Sequence, residues 1–169
     1  SKSIDKLSEY GGMMDVNEFS EIDDWIPTGN YILNAAISGD LFKGVPGNRM
    51  IGFGGESGSG KTFLMLNIAA RAQKAGYSIV WFDSETAIDK AMLKNFGVDS
   101  ANFRYEPIAT VQEFRTSVTT LTSKMQEVKR NGGKTPKIMM ILDSAGNLAT
   151  QKEIDDARSG SEKADMTRS

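Results

Sequence analysis

One stretch constrains the fold of this chain more than any other. Gly55, Glu56, Ser57, Gly58, Ser59, Gly60, Lys61 and Thr62 satisfy the pattern G-x-x-x-x-G-K-[ST]. Glycines at these spacings let the backbone curl until successive N–H groups face inward, and a helix beginning at the loop adds the positive end of its dipole. Such a cradle takes phosphate. Lys61 can reach the β and γ phosphates of a nucleotide, and the Thr62 hydroxyl can ligate Mg²⁺. The loop also dictates its flanks, because it works between a strand and a helix. "RMIGFG", Arg49 to Gly54, fits a buried strand before it, and the segment from Lys61 to Lys74, closed by Gly76, fits the helix after it.

The rest of the chain alternates in the same way. "YSIVWFD", Tyr77 to Asp83, and "KIMMILD", Lys137 to Asp143, read as buried strands, and a third strand is expected around Phe103 and Tyr105. A helix is expected from about Ile88 to Phe96. Val111, Phe114, Val118, Leu121, Met125 and Val128 recur at intervals of three and four, which marks a long amphipathic helix. Upstream, Ile32, Leu33, Ala36 and Ile37 share one helical face, and Gly39 can end that helix in a left-handed cap. Strands alternating with helices imply an α/β fold with a mainly parallel sheet flanked by helices. Residues 1–24 are polar and read as an arm, leaving 25–169 as the core.

Composition narrows the chemistry. Cysteine and histidine are both absent, which removes disulfides, thiolate zinc sites and every Ser-His or Cys-His nucleophile pair. General-base work then falls to carboxylates. The formal charge of −2 supplies no global positive field for nucleic acid or a membrane, so a polyanion must be met locally. No apolar run approaches the roughly 20 residues of a membrane span, and "SKSIDKLSEYGG" lacks the apolar centre of a secretory signal. The cytoplasm is the expected compartment.

Acids stand where a phosphate site needs them. Asp143 follows "IMMIL" at a strand end and can hold the metal. Ser144 can hydrogen-bond a metal-bound or attacking water, or be a simple turn serine. "FDSE" places Asp83 and Glu85 beyond the second strand, at the carboxyl edge where parallel sheets bind ligands. Glu85 lies further out and reaches further, so it is the expected base for water; Asp83 is the expected structural acid.

In order, "TGNYILNAAISG", "GGESGSGKT", "WFDSE", "FGVD" and "MMILDS" resemble the RecA recombinase core over Trp25 to Ser169. "LDSAGNLATQKE" followed by "ADMTRS" is most similar to the UvsX branch of T4-type phage recombinases. The resemblance implies a DNA-dependent ATPase that uses ATP and Mg²⁺, polymerises with copies of itself on single-stranded DNA, and carries out strand exchange. Its setting would be recombination, repair and replication, in the host cytoplasm if phage-encoded, with mediator and single-strand-binding proteins as partners. Residue by residue, it assigns phosphate and magnesium roles to Lys61 and Thr62, water activation to Glu85 and the metal to Asp143.

Three features depart from the family pattern. Asp89 matches an adenine-contacting acid, but Met92 stands where an aromatic is expected; methionine can still pack on a base. The first DNA loop would fall at about Glu153 to Asp165, with Arg158 and Lys163 as its best DNA contacts. From Thr150 to Ser169, however, four basic residues face five acidic ones, with no aromatic for stacking. Finally, the family core continues past Ser169, so the resemblance implies a chain truncated at its C-terminus, with an exposed sheet edge. The arm before Trp25 would dock on a neighbouring protomer through Phe19 or the Met13–Met14 pair, or staple to its own core. Two other readings stay open: a RecA-fold ATPase serving as a replicative helicase or a clock or signalling ATPase, and a phosphate-loop kinase acting on a small molecule.

Overall fold

A computed structural model describes residues 22, 24–150, 152–155 and 157 of the chain. The arm with Met13, Met14 and Phe19, and also Arg158 and Lys163, lies outside the described residues. The chain divides into two units, with the boundary between Gly52 and Phe53.

In the first unit, β1 (Trp25–Ile26) pairs antiparallel with β2 (Val45–Pro46), and α1 (Tyr31–Ser38) lies between them in sequence. Asn30 caps α1 by accepting from the Leu33 N–H, and Gly39 ends it at φ +73°, as expected for a left-handed cap. The face turned inward differs from the expected one. Ile32 is 81% exposed, whereas Asn34 is buried. The reason is polar: Asn34 Oδ1 accepts from the Thr28 N–H (2.8 Å) and hydroxyl (2.7 Å), while its Nδ2 donates to the Leu41 carbonyl (2.8 Å). A buried amide so fully paired sets the rotation of a short helix against its apolar pattern. Gly44, at φ +143°, runs so close to the Ile26 carbonyl that a Cβ there would sit 2.5 Å from it.

The second unit carries α2 (Lys61–Lys74), β3 (Tyr77–Asp83), α3 (Lys90–Phe96), β4 (Phe103–Pro107), α4 (Val111–Arg130) and β5 (Lys137–Asp143). The sheet is parallel in the order β4-β3-β5, in register from Ile79 opposite Phe103 and from Tyr77 opposite Lys137. The even-numbered face of β3 and β5 (Val80, Phe82, Ile138, Met140, Leu142) packs under Phe114, Val118 and Leu121 of α4, with Phe82 and Phe114 edge to face at 5.0 Å. On the odd face Trp81 meets Phe103 at 5.8 Å, and α2 covers the sheet with its buried Leu66, Ala69 and Ala72. Right-handed crossovers explain the split: β3 to β4 runs one way along the sheet and β4 to β5 runs back, so α3 and α4 fall on opposite faces.

The expected strand from Arg49 to Gly54 does not form. Exposure still alternates, with Ile51 and Phe53 half-buried and Gly52 and Gly54 exposed, but among the described residues no partner strand hydrogen-bonds to the segment, and Met50 is 98% exposed. Glycines at every second position weaken a strand that has no ladder to hold it.

Candidate phosphate-binding and hydrolytic site

The loop from Gly55 to Thr62 leads directly into α2, as its pattern requires. Gly58 (φ +76°) and Gly60 (φ +86°) supply the left-handed turns, and a Cβ on Gly55 would press to 2.9 Å from Ser59 Oγ. Helices α1, α3 and α4 are capped by side chains of Asn30, Asp89 and Thr110, but no side chain caps α2. Among the described residues its first-turn N–H groups have no side-chain cap, so they could bond an acceptor from outside the chain. Lys61 Nζ donates to the carbonyls of Gly55 (2.8 Å) and Glu56 (2.7 Å) and to Ser59 Oγ (3.4 Å), arching over the loop. The side chains of Glu56 and Ser57 are exposed.

Across the carboxyl edge of the sheet stand the acids. Register places Asp83 and Asp143 side by side on β3 and β5. Asp143 is buried and its Oδ2 accepts from the Thr62 hydroxyl at 2.8 Å, joining two residues 81 positions apart. These two oxygen donors form a hard-ligand pair that suits Mg²⁺ beside a phosphate, and the uncapped loop suits the phosphate itself.

Asp83 has a different task, the structural one expected of it. It is 1% exposed; Oδ1 accepts from the Glu85 and Thr86 N–H groups, and Oδ2 from the Ala87 N–H, all at 2.9 Å, with the Tyr105 hydroxyl at 3.0 Å. This cluster holds Thr86 at φ +57°, a conformation that β-branched residues avoid. Burial first, then the hydrogen bond and charge of Asp83, push the Tyr105 phenol above its ordinary value. Glu85, released from the sheet, is exposed, and its Oε1 accepts from Asn147 Nδ2. Ser144, at φ +60°, offers its carbonyl to the Ser84 hydroxyl (2.8 Å).

Lys61, Thr62, Asp143 and Glu85 thus gather at one edge. Asp89 and Met92 are placed otherwise: Asp89 caps α3 by accepting from the Met92 N–H at 2.7 Å, and the described hydrogen bonds do not join either residue to that group. Residues 152–155 are helical, opened by Thr150 and Glu153 bonding each other's backbone and side chain. No sequence pattern pairs Tyr105 with Asp83 or Asn147 with Glu85; both partners are distant in sequence. No described helix is long and apolar enough to cross a membrane.

Comparison with known proteins shows the family. The family described as the RecA N-terminal domain matches residues 1–168. The chain is 33% identical over 155 residues to Protein RecA of Helicobacter pylori strain P12, covering 91% of this chain and 41% of that protein. To Protein RecA of Clostridium botulinum strain Eklund 17B it is 38% identical over 100 residues, covering 59% of this chain and 27% of that protein. The chain spans about two fifths of the length of the Helicobacter proteins it matches.

Proposed function

Because the chain belongs to the RecA family, we propose that it binds ATP with Mg²⁺ at the Gly55–Thr62 loop and hydrolyses it as part of a DNA-dependent recombinase. The observation that carries this reading is the convergence of an uncapped helix, the Thr62–Asp143 pair and the exposed Glu85, held by Asn147, on one sheet edge. Lys61 exchanges the loop carbonyls for phosphate oxygens. Thr62 and Asp143 would hold magnesium, which would offset phosphate charge. Glu85 takes a proton from the water whose oxygen attacks the γ phosphorus, as the bond to the leaving ADP oxygen breaks. Asp89 and Met92 contact the adenine.

The finer reading places the protein in the UvsX branch, acting in recombination, repair and phage replication in the cytoplasm. It forms a filament of its own copies on single-stranded DNA, with residues 1–24 as the docking arm, 25–169 as the ATPase core and Arg158 and Lys163 as DNA contacts. Mediator and single-strand-binding proteins are its partners.

Hydrolysis by the full-length protein, with and without single-stranded DNA, tests this. DNA is expected to stimulate the rate, and Glu85→Gln to retain ATP while turnover falls roughly 10²- to 10⁴-fold, the range of a positioned general base. A rate indifferent to DNA favours a RecA-fold ATPase of another role; an unchanged Glu85→Gln rate moves the base elsewhere.

A further inference from the structure

The chain leaving β5 does not continue outward. It makes a tight turn over Ala145–Asn147 and then pairs at Ala149 with Thr110, beyond β4. Since β3 lies between β5 and β4, the segment Ser144–Ala149 is a strap across the carboxyl end of β3. Both ends of the strap are tied. At one, the Ser84 hydroxyl donates to the Ser144 carbonyl (2.8 Å); at the other, the Ala149 N–H donates to Ala109 (3.0 Å) and the Val111 N–H to Ala149 (3.1 Å). Leu148 packs into the cluster of Val80, Phe82 and Ile108.

Asn147 sits at the middle of this anchored strap, and its Nδ2 donates to Glu85 Oε1. Glu85 is otherwise an exposed side chain on a loop, free to sample several rotamers. Its backbone N–H is already fixed by Asp83 Oδ1. We propose that Asn147 is a positioning residue that holds one Glu85 carboxylate oxygen, so that the other faces the attacking water. The inference rests on the reading of Glu85 as base. An amide suits the task because its N–H group can only donate, so it holds the carboxylate without competing for the proton Glu85 must accept. Asn147 is itself exposed, so replacing it opens no core cavity.

The test is a cycle in the full-length protein, following ATP hydrolysis with single-stranded DNA. Asn147→Ala is expected to lower kcat roughly 10- to 100-fold, the scale of a misplaced catalytic group, with KM for ATP unchanged. Asn147→Asp keeps the size but cannot donate and adds a like charge, so it should lose at least as much. Because Asn147 acts through Glu85, adding Asn147→Ala to Glu85→Gln should cause less than a twofold further loss. Losses that multiply, or an Asn147→Asp variant at the wild-type rate, overturn the positioning role while leaving the base in place. A Glu85→Gln variant at the wild-type rate overturns the base itself, whatever Asn147 does.

Discussion

Helices α2 and α4 begin in opposite ways. At α4 the Thr110 hydroxyl accepts from the Glu113 N–H (3.1 Å), and Glu113 Oε2 accepts from the N–H groups of Ala109 (2.8 Å) and Thr110 (3.0 Å), so the chain satisfies its own donors. At α2 a left-handed glycine stands in the cap position, and among the described residues no side chain caps the helix. One start is closed by the chain's own side chains, and the other is not. Lys61 fits this division, because an ammonium donates and cannot accept. It braces the loop mainly through carbonyl oxygens and so occupies none of the cradle's N–H groups itself.

Substitutions at the two kinds of site should therefore fail differently. The largest effect is expected from Lys61→Ala, which removes the cation from the open site. Nucleotide turnover should vanish and affinity fall more than tenfold, while denaturant unfolding shifts by no more than about 0.5 kcal/mol, as for a surface change. Loss of folding would instead mean that the loop is part of the scaffold. Next comes Asp83→Asn, at a closed site. One carboxylate oxygen becomes an NH₂ group facing donors, so the buried Asp83 cluster loses acceptors, and stability should fall by about 2–3 kcal/mol. Urea titration measures it; an unchanged midpoint would show that the loop after β3 is not held by that carboxylate.

What could be read in the sequence divides along a related line. Elements that depend on local pattern agree with it: α2, β3 and β5 start and stop at the expected residues, and Gly39 caps α1 as expected. Long apolar runs bounded by glycine carry their own boundaries. Elements that depend on a partner did not show themselves. The stretch from Arg49 to Gly54 has a strand's alternation but no ladder, and β1 and β2 are two residues each, too short for any period to register. Within the site, Lys61, Thr62, Asp143 and Glu85 were marked by a motif or by a strand end. The contacts of Asn147 and Tyr105 do not show in the sequence, because each meets its partner only in the folded chain, 62 and 22 residues away.

The smallest expected effect tests the closed end of the comparison at α4. Thr110→Ala removes the hydroxyl that accepts from Glu113, and loss of such a cap typically costs about 1 kcal/mol. Glu113 is more exposed and should contribute less, but its share has a pH signature. The N–H groups of Ala109 and Thr110 hold its carboxyl below the usual glutamate value. A carboxyl that ionises more readily folded than unfolded stabilises the fold above its unfolded pKa, and that contribution fades as pH falls through the folded one. Urea unfolding of the wild type and of Glu113→Gln at pH 7 and at pH 3 should therefore give a gap that narrows on acidification. Nucleotide binding should be the same in both proteins at pH 7, because α4 closes its own donors and offers none to a ligand. A gap that stays constant with pH would show that Glu113 acts through packing rather than through its charge.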